Sequence, residues 1–234
     1  MEKKPVDVRR EEIINACEEL YKKENFKDIT LKQIGEKTTF SRTSIYNYFQ
    51  TKEEIFLALF QREYEKWIED LNKIYEKNER LMIEELANKL AHTIEKRPTL
   101  LKLLAMNLYD MEDNSKMEAL VEFKQAYGNS IKAVKRCLDK FVTNMNEEEK
   151  TNFILSFFPF MYGIYPYAVV TAKQKEAMEK AGQTAAPAYF YMVASPAEEE
   201  DYLKGIEDVI GRVPFFGGSA ADNTVSGEWS IYTN

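Results

Sequence analysis

Apolar residues recur along the first two thirds of the chain at three- and four-residue spacing, the period of a helix with one buried face. Ile13, Ala16, Cys17, Leu20 and Tyr21 form the first stripe, and Asn25-Phe26-Lys27-Asp28 breaks it. Thr30 stands at an N-cap position ahead of Leu31 and Ile34. Thr38 and Thr39 interrupt again, and Ser41 is the next cap candidate, with Ile45, Tyr46 and Phe49 following on one side. Thr51-Lys52-Glu53-Glu54 has the capping-box form. It opens a long helix whose buried face carries Phe60, Tyr64, Trp67, Ile68, Leu71 and Tyr75. Further helices are expected over 79–96, 98–110, 116–143 and 147–171, with Pro98 in a first turn and Pro159 and Pro166 kinking or splitting the last. The uncharged run from Phe153 to Ala172 is long enough for a bilayer. It holds two prolines and a glycine and has no flanking basic cluster, so it reads as a helix buried on all sides.

After Gly182 the pattern changes. Gln183–Pro187 is small and polar, a linker. Tyr189–Ala194 is β-prone, Glu198–Gly211 is an acidic helix carrying Leu203, Ile206, Val209 and Ile210, and Val213–Phe216 is a second strand. Glu228–Tyr232 would be a third. Gly217-Gly218-Ser219 reads as a tight turn after an edge strand or as an anion-binding nest. The expected fold class is mainly all-α with a short α/β-like C-terminal segment, in three parts: 1–53, 54–182 and 183–234.

With 234 residues, 44% hydrophobic and 30% charged, the chain has an ordinary soluble balance and room for a real core. Its net charge of −7 means that any basic footprint must be local. One is: Lys32, Lys37, Arg42 and Lys52 against Glu36 give 30–52 a net +3, while 183–234 carries −6. Cys17 and Cys137 make no disulfide framework, and Cys17 reads as a small core residue. No apolar h-region follows Met1–Lys4, so a cytoplasmic protein without a membrane partner is expected. His92 is the single histidine, and no Ser-His-Asp set, metal spacing or Walker loop is present. The expectation is a non-enzyme with no metal or cofactor.

Two short helices joined by a tight connection can set the second into a major groove. Its first turn here would be Ser41-Arg42-Thr43-Ser44. Arg42 can donate a bidentate pair to guanine, and Thr43 can meet a thymine methyl or hydrogen-bond a base. Ser44, Tyr46 and Tyr48 offer hydroxyls to phosphates, and Asn47 suits a base or a phosphate. Thr30 and Lys52 lie at helix N-termini, where free N–H groups favour an anion. The competing account makes Tyr46 and Phe49 core and the charges ordinary solvated ones.

The run Ile29-Thr30…Ile34-Gly35…Phe40-Ser41-Arg42-Thr43-Ser44-Ile45-Tyr46-Asn47-Tyr48-Phe49-Gln50-Thr51-Lys52-Glu53-Glu54 closely resembles the N-terminal domain of TetR/AcrR-family transcriptional regulators. Gly35 stands where alanine is usual, and Thr39 where the turn usually has glycine. By resemblance, Thr30, Arg42, Thr43, Ser44, Tyr46, Asn47, Tyr48 and Lys52 match DNA-contacting positions, with Tyr46 equally placed to orient the recognition helix. The resemblance runs to about residue 181. It implies a homodimer on a double-stranded operator, mostly a repressor, released when a small-molecule effector enters a helical second domain. Tyr109, Tyr162 and Tyr165 are the expected pocket residues, each with an apolar body and one orienting hydroxyl. Tyr189–Asn234 resembles the opening of a FIST sensory domain and replaces the usual last helix. The alternative reading is therefore a small-molecule sensor with impaired dimerisation and DNA binding.

Overall fold

The computed structural model describes residues 5–40, 42–106, 108–182, 190–194, 199–210 and 215–219. The chain divides into two compact units, Met1–Val169 and Val170–Asn234. The cap expected at Ser41, the linker at 183–187 and the third strand at 228–232 lie outside the described residues.

The first unit holds α1 (Pro5–Tyr21), α2 (Leu31–Glu36), α3 (Arg42–Ile45), α4 (Lys52–Lys77), α5 (Ile83–Glu95), α6 (Pro98–Leu104), α7 (Leu108–Asp113), α8 (Met117–Phe141) and α9 (Glu147–Ala168). Helix α4 is the spine. It buries Ile55, Phe56, Leu59, Phe60, Tyr64, Trp67 and Leu71, and packs on α1 at one end and along α8. Cys17 and Cys137 are both fully buried, and the Cys137 thiol, pushed up to about 11 by burial, sits 3.7 Å from the Leu71 carbonyl oxygen.

Local capping chemistry sets most of the boundaries. The Thr30 hydroxyl accepts the Gln33 N–H at 3.3 Å while the Gln33 amide oxygen takes the Thr30 N–H at 2.8 Å. Asn146 and Glu149 make the same reciprocal box ahead of α9. At Thr51 only half of the expected box forms. Its hydroxyl accepts the Glu54 N–H at 3.2 Å, but the Glu54 carboxylate does not return to Thr51. It is buried and accepts the N–H of Gln50 at 2.7 Å and of Lys116 at 3.2 Å.

Two helix expectations are corrected. The segment 98–110 breaks into α6 and α7. Helix α9 is not split at Pro159 or Pro166 but runs through both, with tertiary packing beside Pro159 offsetting a lost backbone bond. Phe158 meets the Trp67 ring at 5.9 Å and the Tyr127 ring at 5.7 Å, and Met161 is buried beside it. Nor is α9 buried on all sides: Leu155 and Phe160 are more than 60% exposed. Among the described residues, no helix is long and apolar enough to cross a membrane.

The second unit contains α10 (Ala172–Lys180), β1 (Phe190–Ala194), α11 (Glu199–Ile210) and β2 (Phe215–Ser219). The two strands pair in parallel, Phe190 opposite Phe215, as the β-α-β order of the sequence requires. Gly217, Gly218 and Ser219 pair with Met192, Val193 and Ala194 inside β2, so they form strand where a tight turn was expected.

Ion pairs tie the ends of helices in the first unit. Lys150 meets Asp139 at 2.7 Å and Glu147 at 3.0 Å, and Lys135 meets Glu147 at 2.8 Å. Hydrogen bonds from Lys150 and Lys135 hold Asp139 below the usual carboxylate range, and those from Lys135 and Lys150 do the same for Glu147. Burial raises Glu18, but the Lys22 hydrogen bond and the charges of Lys66 and Arg62 outweigh it and the net shift is downward. Carboxyls depressed in the fold contribute stability above their ordinary range, and that contribution is lost as pH falls through the folded-state values. The urea midpoint is therefore expected to hold down to about pH 5 and to fall below about pH 4. A midpoint that rises on acidification would contradict these pairings.

Candidate functional site

Helices α1, α2 and α3 form a compact trio closed by a small core. Ile13, Ile14 and Cys17 of α1, Ile34 of α2, and Ile29, Ile45 and Phe49 around α2 and α3 are all buried. The α2–α3 turn is fixed from both sides. The Thr38 hydroxyl donates to the Gly35 carbonyl at 2.9 Å, and the Thr39 N–H donates to the Glu12 carboxylate of α1. Helix α3 is one turn long, and its last carbonyls are taken up by the turn that follows. Tyr48 N–H donates to Ile45 O at 2.8 Å, and Asn47 N–H to Ser44 O at 3.2 Å.

This arrangement sorts the side chains by helical face. Ile45 and Phe49, four apart, point into the trio. Thr43, Tyr46 and Asn47, at i, i+3 and i+4, are exposed together, Tyr46 by 40%. Ser44 is half-buried, and Tyr48 is half-buried with its ring tilted against Phe40 at 6.3 Å. The Arg42 backbone belongs to α3, while its side chain lies outside the described residues. Thr30 is exposed at its cap, its hydroxyl engaged with Gln33. Lys52 turns inward: its ammonium donates to the Phe26 carbonyl at 2.8 Å and lies 4.1 Å from the Phe26 ring centre. It ties the start of α4 to the α1–α2 connection. The structure thus brings Thr43, Tyr46 and Asn47 onto one solvent-facing surface and places Thr30 and Lys52 at neighbouring helix starts.

The tyrosines expected around a ligand do not share a hollow. Tyr109 is 78% exposed on α7. The Tyr162 hydroxyl lies 3.5 Å from that of buried Tyr64, and burial raises both phenols. Tyr165 borders a separate depression with Tyr21, Phe26, Lys102 and Met106. The large apolar cavity lies between α5, α6, α8 and α9, with a volume of about 690 Å³. Leu86, Leu90, Leu101, Leu138, Phe157 and Met161 are among its walls. An apolar hollow of branched aliphatic residues has no signal that separates it from core in a sequence, whereas tyrosines draw attention by their hydroxyls.

One residue past Leu101, Lys102 reaches back to α1. Its ammonium donates to the carbonyls of Tyr21 at 2.6 Å and Glu24 at 2.8 Å, and the Tyr21 hydroxyl donates to the Lys102 carbonyl at 3.1 Å. Glu54, by bridging Gln50 after α3 to Lys116 before α8, is a second link between the trio and the remaining helices of this unit. Neither link was anticipated from the sequence, because a helical lysine or glutamate reads as solvated unless its partner is known.

Residues 13–59 match the model of bacterial regulatory proteins of the tetR family, and residues 61–190 match that of the tetracyclin repressor-like C-terminal domain. Over 67 residues, 29% of this chain, the sequence is 31% identical to the uncharacterized HTH-type transcriptional regulator YfiR of Bacillus subtilis (strain 168). The match spans a third of that relative's length. Among solved structures, the fatty acid degradation regulator FadR from Bacillus halodurans has a similar fold. Its TM-score is 0.50 at 13% identity, covering 77% of this chain and 88% of that one.

Proposed function

The chain belongs to the TetR family of bacterial transcriptional regulators, and from that premise we propose that it is a cytoplasmic repressor, released from its operator by a small-molecule effector held in the α5–α6–α8–α9 cavity. It works as a homodimer. Two copies of α3 enter successive major grooves about 34 Å apart, and a change in their separation costs affinity. The observation that carries the reading is the exposed Thr43–Tyr46–Asn47 face over the buried Ile45 and Phe49, inside a segment of local positive charge. That face offers a methyl, hydroxyls and an amide to base edges and phosphates, and Arg42 at the start of the same turn adds a guanine-reading fork.

Operator DNA selected from a random pool tests it. Arg42→Ala is expected to relax preference at one base pair by about 1–3 kcal/mol, and Asn47→Ala to weaken binding to the selected site. If both variants bind the selected and the scrambled DNA as the unaltered protein does, α3 does not read the groove. Sedimentation at micromolar concentration checks the dimer. A clean monomer that fails to retain the selected DNA favours a small-molecule sensor that does not act on an operator.

A further inference from the structure

We propose that the α5–α6–α8–α9 cavity takes an uncharged, mainly hydrophobic molecule and rejects anionic amphiphiles of the same size. This deepens the effector reading above and rests on it. The cavity floor is deep: Leu86, Leu90, Leu138 and Met161 are each under 5% exposed. Phe153 and Phe157, stacked at 5.3 Å, form one wall. About 690 Å³ would hold roughly twenty waters, yet among the described residues Asn144 and Glu95 are the only polar side chains on the lining. Water in such a hollow has few partners, so an apolar occupant of small-molecule size displaces it at little cost.

The exclusion of anions follows from where the cations point. Among the described residues, no basic side chain lines the cavity. Lys89 and His92 of α5 and Lys96 just after it border the opposite groove, against α4. Arg97 donates to the Lys66 carbonyl and to Asp70, and Lys102 to the carbonyls of Tyr21 and Glu24 at the end of α1. Lys140 of α8 donates to the Tyr75 carbonyl at 2.6 Å, and Lys135 and Lys150 are paired with Asp139 and Glu147. A carboxylate or phosphate drawn inside would lose its water and gain no counter-charge. A cation gains little in return, because the Glu95 side chain is 74% exposed and screened by solvent.

Calorimetric titration of the full chain with 1-decanol, decanoate and decylammonium at neutral pH tests the assignment. Decanol is expected to bind about ten-fold or more tightly than either ion. Ala91→Lys places a cation on the exposed lip of the cavity, where the helix tolerates it, and is expected to improve decanoate while leaving decanol bound. Leu86→Trp, which narrows the floor, should weaken decanol binding, and its far-ultraviolet spectrum reports whether the helices remain. The proposal is overturned if decanoate or decylammonium binds the unaltered protein as well as decanol, if decanol does not bind, or if Ala91→Lys leaves decanoate affinity unchanged. Operator titrations on the same samples separate the two readings. Decanol that binds as expected without weakening the DNA complex supports the ligand class and counts against effector release alone.

Discussion

Arg62→Ala is expected to lower the unfolding free energy by about 3 kcal/mol, the scale for removing one partner from a poorly solvated ion cluster. Its side chain is only 12% exposed and reaches from α4 to three residues of α1. It donates to Glu11 at 3.1 Å, Asn15 at 2.6 Å and Glu18 at 2.7 Å. The loss should stay near the low end of that scale, because Glu18 keeps Lys22 at 2.7 Å and Lys66 at 3.9 Å. Arg62→Lys supplies charge without the fork that holds three acceptors at once, and should recover only part. Urea unfolding followed by circular dichroism measures both. A cost below about 0.5 kcal/mol, typical of a surface pair, would mean that α1 is not anchored through this guanidinium.

Trp67→Ala should be costlier, about 3–5 kcal/mol. The ring is fully buried, its N–H donates to the Thr93 hydroxyl at 2.9 Å, and it touches the rings of Phe157, Phe158 and Tyr64. Removal opens a void and leaves the Thr93 hydroxyl without its donor. Phe157 also lines the apolar cavity, so the void borders the hollow and should enlarge it. Trp67→Phe, which keeps most of the volume, should cost less than half as much. Equal losses in the two variants would place the stabilisation in the hydrogen bond alone.

Helix starts and stripes were legible because their causes are local. A threonine cap with Gln33 or Glu54 three residues on, and isoleucines at helical spacing, announce α1 to α4 without any knowledge of the fold. The exposed surface of α3 and the turn after it was readable only in part: Ile45 and Phe49 turn inward as their spacing requires, but Tyr46, expected on their side, turns out with Thr43 and Asn47. What could not be read depends on partners far along the chain. Lys52 bonds a carbonyl 26 residues back and Glu54 an amide 62 residues ahead. The prolines of α9 predicted a kink or a split, and the split does not occur where the aromatic contacts of Phe158 pack the helix. The cavity escaped notice because leucine and alanine look the same in a core and around a hollow.

Leu101 and Lys102 are consecutive, so their Cα atoms are fixed about 3.8 Å apart. One borders the hollow, and the other grips the chain where α1 ends. If the proposed effector displaces Leu101, Lys102 is expected to move with it, and the end of α1 that Lys102 holds is the part of the proposed DNA-binding trio that feels the guest first.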